Sequence, residues 1–179
     1  ILLGNGNGTF QEPVAHGVGD RPAFVAAGDF NGDGKRDLAA SCYYSDVVSI
    51  LLGNGDGTFQ SAVNYSAGGG TGSVAVGDLN ADGKADLVAA NFDGGSLSIL
   101  LGNGDGTLQV AVTYSVGGSS GTFAVGDFNG DGKPDLAVVN EWSNTVSILL
   151  GRVNGTFRAP VNYSAGNVPR SLAVGDFNG

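Results

Sequence analysis

A chain of 179 residues with 41% hydrophobic and 14% charged residues can build one domain with a sizeable core, which excludes a disordered segment. A formal charge of −9 with only eight Lys and Arg leaves no basic face for a phosphate backbone, so nucleic acid is excluded as a partner. No run approaches the ~20 apolar residues of a membrane helix, no basic-then-apolar leader opens the sequence, and the single Cys42 cannot form an internal disulfide.

Along the chain the segment ILLGNG recurs, whole or nearly so, from Ile1, Ile50, Ile99 and Ile148, and a Gly-Asp step recurs at Asp29, Asp78, Asp127 and Asp176. Both series advance by 49 residues, a period that marks an array of supersecondary units. Within one period short runs rich in Val, Ile, Leu, Phe and Tyr alternate with Gly, Asn, Asp and Ser, as in GTFAVGDF, KPDLAVVN and NTVSILLG, with a fourth run of the type LQVAVTYS. Thirty-three glycines suit that many turns and leave no room for helices. The expected fold is all-β: a propeller of four-stranded antiparallel blades, about 3.7 of them in this chain. The period places strands 3 and 4 of an incomplete blade at 1–22, blades at 23–71, 72–120 and 121–169, and the first strand of a further blade at 170–179. The remaining blades of such a ring would come from a longer chain or from another copy.

Strand alternation puts the strand 1–2 and 3–4 connections on one face, here called lower, and the strand 2–3 and 4–1 connections on the upper face. Between strands 1 and 2 stand DFNGDGKRD at 29–37, DLNADGKAD at 78–86 and DFNGDGKPD at 127–135, all fitting D-x-N-x-D-G-x-x-D. Hard cations such as Ca²⁺ take six to eight oxygens at ~2.4 Å, and carboxylates at alternate positions of a tight loop can supply them. Side chains at positions 1, 3, 5 and 9 are the expected ligands: Asp29, Asn31, Asp33 and Asp37; Asp78, Asn80, Asp82 and Asp86; Asp127, Asn129, Asp131 and Asp135. At position 7 Lys35, Lys84 and Lys133 are expected to offer backbone carbonyls. Asp176 and Asn178 begin a fourth loop. A polar turn needs one or two such carboxylates, so three in nine residues, repeated three times, point to metal: one Ca²⁺ per complete loop, three in all.

On these residues the chain resembles the FG-GAP or VCBS repeat family, found in integrin alpha-chain heads and in many exported bacterial proteins. GTFQEPV at 8–14 and GTFRAPV at 155–161 are similar to the Phe-containing half of that repeat, and GDFNGDGKPDLAV at 126–138 to its calcium half. The resemblance implies a propeller with Ca²⁺ in the lower-face loops and an extracellular, cell-surface or periplasmic setting. Its hosts include adhesion receptors, lectins and accessory domains of enzymes, so it does not choose among them.

Catalysis has few residues to draw on: His16 is the only histidine, aligned with Tyr65, Tyr114 and Tyr163 at a blade edge, and Glu12 and Glu141 are the only glutamates. No enzyme is expected. The glycines of GNGDGTF and its relatives read as hairpin turns, not as a phosphate cradle. The upper-face connections vary instead: SCYYSD at 41–46, ANFDGG at 90–95 and VNEWSN at 139–144. Tyr43, Tyr44, Phe92 and Trp142, beside Asp46, Asp93, Asn91 and Asn144, are the candidate surface for a glycan or a cell-surface protein, with Tyr43, Phe92 and Trp142 expected in a row. The alternatives are a purely structural spacer array or the non-catalytic part of a larger secreted enzyme.

Overall fold

The structure, a computed structural model, describes residues 1–118 and 120–176, and of Ser120 the backbone. It contains three four-stranded antiparallel sheets and, among the described residues, no helix. The first is β1 (Pro22–Gly28), β2 (Asp37–Cys42), β3 (Val47–Leu51) and β4 (Val63–Ser66); the second β5 (Thr71–Gly77), β6 (Asp86–Asn91), β7 (Ser96–Leu100) and β8 (Val112–Ser115); the third β9 (Ser120–Gly126), β10 (Asp135–Asn140), β11 (Thr145–Leu149) and β12 (Val161–Ser164). Within each sheet the strands lie in chain order, every neighbour antiparallel, as a propeller blade requires.

Blade 2 shows why the strands read as almost unbroken apolar runs. Every residue of β6 is buried, because successive side chains go to opposite faces and both faces are covered. Leu87 and Ala89 point into one cluster with Phe30, Val48, Ile50 and Val74 of blades 1 and 2. Val88 and Ala90 point into another with Leu136, Val138, Leu149 and Phe157 of blade 3. Fully burying each leucine contributes about 1.5–3 kcal/mol. The innermost strands β1, β5 and β9 stand side by side; the Ser41 hydroxyl of β2 donates to Gly72 O of β5, and the Ser73 hydroxyl of β5 donates to Gly121 O of β9 at 2.8 Å.

The three sheets do not close into a ring. Val25 of β1 is 57% exposed, whereas Val74, its counterpart one repeat later, is 4% exposed beneath blade 1. The flanking segments, expected to carry strands, form none among the described residues. Residues 1–21 keep the hairpin shape through a single bridge, Gly4 with Phe10, and the mutual backbone bonds of Ile1 and Val14 at 2.7 and 2.9 Å.

Candidate functional site

Each lower-face loop is a turn wound around its own side chains. In the first, Asp29 Oδ1 accepts the amides of Gly32 and Asp33 at 2.8 and 3.2 Å, and Oδ2 that of Gly34 at 2.8 Å. Asn31 Oδ1 accepts the same Asp33 amide at 3.1 Å, so the oxygens of positions 1 and 3 meet on one N–H. The second loop repeats this at the Asp82 amide, 3.1 Å from Asp78 and 3.0 Å from Asn80. The third repeats it at the Asp131 amide, 3.2 Å from Asp127 and 2.9 Å from Asn129. Position 5 follows suit: Asp33, Asp82 and Asp131 accept the amides of Lys35, Lys84 and Lys133 at 2.9, 2.9 and 3.0 Å. Those backbone bonds hold the Asp33 carboxyl below the usual carboxylate range; the Lys133 side chain does the same for Asp131, and the Gly132 amide, first among several, for Asp127.

The winding needs left-handed backbone at position 4. Gly32 and Gly130 supply it at φ 71° and 74°, but in the second loop Ala81 is forced to φ 59°. Lysine at position 7 rests its ammonium on the position 5 carboxylate, at 3.2, 3.8 and 2.8 Å in the three loops. These pairs are solvent-exposed and of small worth.

The aspartates at position 9 have a duty that the motif alone does not reveal. Asp37, Asp86 and Asp135 are fully buried. Asp37 accepts the Phe30 amide at 2.8 Å with one oxygen and the Gly53 amide at 2.7 Å with the other, tying the loop to the strand 3–4 hairpin. Asp86 does this with Leu79 and Gly102, both at 2.8 Å, and Asp135 with Phe128 and Gly151, at 3.0 and 2.7 Å. Burial pushes the Asp86 carboxyl up, against the opposing pull of the Gly102 and Leu79 amides. The approach is so close that a Cβ on Gly53, Gly102 or Gly151 would lie 2.0–2.1 Å from the carbonyl oxygen of Arg36, Ala85 or Pro134, so these three positions require glycine. Because position 9 is turned into the core, no three carboxylate, histidine or cysteine side chains converge among the described residues. Asp176 stands in the register of position 1, and Asn178 lies outside the described residues.

At the opposite end of the blades the β2–β3 turns carry the variable residues. Tyr44 is 64% and Trp142 74% exposed. Tyr43 lies 5.6 Å, ring to ring, from Tyr44 and 6.5 Å from Phe92, and its hydroxyl donates to Asp93 Oδ1 at 2.9 Å, a bond that pushes the Tyr43 pKa up. The structure corrects three expectations here. Phe92 is no free platform: it is half-buried against Gly72 and Gly121 of the inner strands, where a Cβ would lie 2.9 and 3.0 Å from its ring. Asn91 is buried, donating to Ser96 and Ser98 at 3.2 and 2.9 Å. Trp142 has no ring neighbour among the described residues, so the row reduces to Tyr43 beside Phe92. Asp46 and Asn144, both at φ 56°, spend their side chains on the amides of Gly70 and Val168, at 2.8 and 2.7 Å, to brace the strand 4–1 connection. His16 packs edge-on against Phe59 at 5.3 Å, as Tyr114 packs against Phe157 at 5.8 Å, the blade-edge position expected of it.

A family model described as an FG-GAP-like repeat matches residues 1–40, 29–89, 78–138 and 127–179, the full length of the chain, and three of the four matches begin at position 1 of a loop. The chain belongs to the FG-GAP-like repeat family. No curated protein matches it in sequence. Among solved structures the FG-GAP chain is similar to a lectin of Agrocybe aegerita, described for its specific recognition of non-reducing terminal N-acetylglucosamine, at 23% identity and a TM-score of 0.59. The alignment covers 90% of this chain and 45% of the lectin, so the FG-GAP repeats here span less than half of that structure, and the likeness is one of fold.

In the FG-GAP loops the exposed donors are all oxygens, from Asp29, Asn31 and Asp33 and their counterparts, and positions 1 and 3 already converge. That donor set fits a hard divalent cation and not a thiolate- or imidazole-seeking one. One upper-face residue escaped sequence reasoning: Arg21, whose guanidinium lies 5.0 Å from the Tyr43 ring centroid and 4.5 Å from that of Tyr44. Its signal was its oddity, an arginine where the next repeat has Gly70.

Proposed function

We propose that this chain is a calcium-binding, calcium-stabilised β-propeller module of an exported protein, with an upper face that recognises carbohydrate. The observation that carries the reading is the threefold recurrence of one arrangement, side-chain oxygens of positions 1 and 3 drawn together on the position 5 amide. Calcium would be held by Asp29, Asn31 and Asp33, by Asp78, Asn80 and Asp82, and by Asp127, Asn129 and Asp131, where it would neutralise carboxylates crowded into nine residues. Lys35, Lys84 and Lys133 yield their position 5 oxygens readily, being exposed partners. Asp37, Asp86 and Asp135 couple each loop to its blade, so order in the loop stabilises the sheet behind it. An exported setting suits such sites, because millimolar calcium fills even modest ones. A ligand bound only by the folded state stabilises it by RT ln(1 + [L]/Kd), about 2.7 kcal/mol per site at 100 Kd. Melting in EDTA and in millimolar calcium tests this: a large calcium-dependent rise is expected, and coincident curves would overturn it.

For the upper face the support is physical. Tyr44 and Trp142 present rings to solvent, Tyr44 against Tyr43, whose hydroxyl holds Asp93, and Trp142 next in sequence to Glu141, which pairs with Arg170 at 3.4 Å. Exposed rings next to hydrogen-bonding groups suit a sugar, which has an apolar face and a polar rim. Binding without catalysis is the fitting role, since the single histidine is packed against Phe59. The spacer reading draws on Phe92, Asp46 and Asn144, whose work is structural. A glycan array probed in calcium separates the two, with binding lost in Trp142→Ala or Tyr44→Ala supporting the first.

A further inference from the structure

The contacts of Arg21 single out one place on the upper face. Its guanidinium lies over both tyrosine rings, and among the described residues it makes no ion pair and no side-chain hydrogen bond. Its planar fork of donors is therefore held in place by stacking while its hydrogens stay available. The Arg21 carbonyl accepts the Tyr43 amide at 3.0 Å, and the Asp20 amide donates to the Ser45 hydroxyl at 3.0 Å, so the 19–21 segment is pinned to the β2–β3 turn. From the next blade Asp93 reaches in, taking the Tyr43 hydroxyl on Oδ1 and leaving Oδ2 without a hydrogen bond among the described residues. Three separate segments thus assemble a guanidinium, a carboxylate oxygen and an exposed ring at the junction of blades 1 and 2.

Holding arginine there is costly. Its backbone is left-handed, φ 52°, and the same register is Gly70 in the next repeat, φ 68°. Val168 stands there two repeats further on, at φ 51°, so the left-handed backbone belongs to the loop and the arginine is a choice laid upon it.

We propose that Arg21, Tyr43, Tyr44 and Asp93 form a subsite for a neutral pyranose with two adjacent free hydroxyls. The inference rests on the reading of the upper face as a carbohydrate surface and names the place and the sugar class. Tyr44 stacks on the C–H face of the ring, Asp93 Oδ2 accepts from one hydroxyl, and Arg21 donates to its neighbour. Tyr43 is a positioning residue: it supports the guanidinium with its ring and orients Asp93 with its hydroxyl. Acidic sugars are selected against, because Asp93 and the adjacent Asp20 outnumber the one arginine.

The test is calorimetric titration of the full chain in calcium-containing buffer with cellohexaose, maltohexaose, mannohexaose and hexagalacturonate. At least one neutral hexaose is expected to bind, with hexagalacturonate about tenfold or more weaker. Arg21→Gly is expected to weaken the neutral sugar about tenfold or more while Tm stays equal or rises, since glycine suits the backbone. A fall in Tm with unchanged affinity would make Arg21 a structural residue and overturn the proposal, as would equal or tighter binding of hexagalacturonate. If Arg21→Gly lowers both, Asp93→Asn decides: it keeps an acceptor for Tyr43 but removes the charge, so discrimination against hexagalacturonate should narrow, and unchanged discrimination refutes the subsite. Binding abolished by Trp142→Ala but untouched by Arg21→Gly keeps the upper-face reading and overturns this location. No binding of any of the four sugars overturns both.

Discussion

The two faces of the blades are built from the same repeat under opposite constraints. On the lower face three loops agree almost atom for atom, because each carboxylate is engaged by backbone amides of its own turn and position 9 is locked to a glycine 16 residues on. On the upper face the β2–β3 turns keep their length while their side chains diverge, one blade using Tyr43 and Tyr44, the next Phe92 and Asp93, the third Glu141 and Trp142. A face whose side chains satisfy its own backbone cannot vary, whereas one braced by a single residue, Asp46 or Asn144, leaves the rest free. Substitutions should therefore cost stability below and binding above.

The largest effect is expected at Gly102. An alanine Cβ there would meet the Ala85 carbonyl at 2.1 Å and break the amide bond to Asp86, so Gly102→Ala should cost about 4 kcal/mol or more in denaturant unfolding. A cost under 1 kcal/mol would mean that loop and hairpin are not clamped.

Asp86→Ala comes next. It leaves the Leu79 and Gly102 amides unpaired in the core, at about 1–3 kcal/mol each, and should destabilise by about 3 kcal/mol. Unfolding should show that loss with or without calcium, because the clamp acts within the protein. A loss seen only in calcium would instead make Asp86 chiefly a metal ligand.

Ala81→Gly sharpens the comparison with the opposite sign. It relieves left-handed backbone in the one loop that lacks glycine at position 4, and should stabilise by about 1 kcal/mol, read as a rise in Tm. The smallest effect belongs to the upper face: Trp142→Ala, at an exposed ring, should change stability by less than about 0.5 kcal/mol. A larger loss would place that side chain among the structural ones.

How far the sequence could be read follows the same division. The period, the four strands per blade and the shared shape of the acidic loops were legible because repetition cancels local accident: three copies of D-x-N-x-D-G-x-x-D in one register carry more than any single turn. The clamp was not legible, because an aspartate in an acidic motif reads as a ligand until its partner amide, distant in sequence, is brought against it. Phe92 misled for a related reason. It looks like an exposed loop aromatic, but Gly72 and Gly121, from the inner strands of two blades, form its seat. Arg21 lies 22 residues from Tyr43 and meets it only when the strand 4–1 connection folds over the β2–β3 turn. Of the flanking segments, 1–21 and 170–176 form no named strand.

The central claim, that the repeated loops bind calcium and thereby hold the blades, is tested most directly by calorimetric titration of metal-free protein with calcium, run on the parent chain and on Asp33→Ala. The account predicts three sites in the parent, two in the variant with the other affinities unchanged, and a Tm that climbs with calcium in both. A parent chain that binds no calcium at millimolar concentration, or a variant that still binds three, would contradict it.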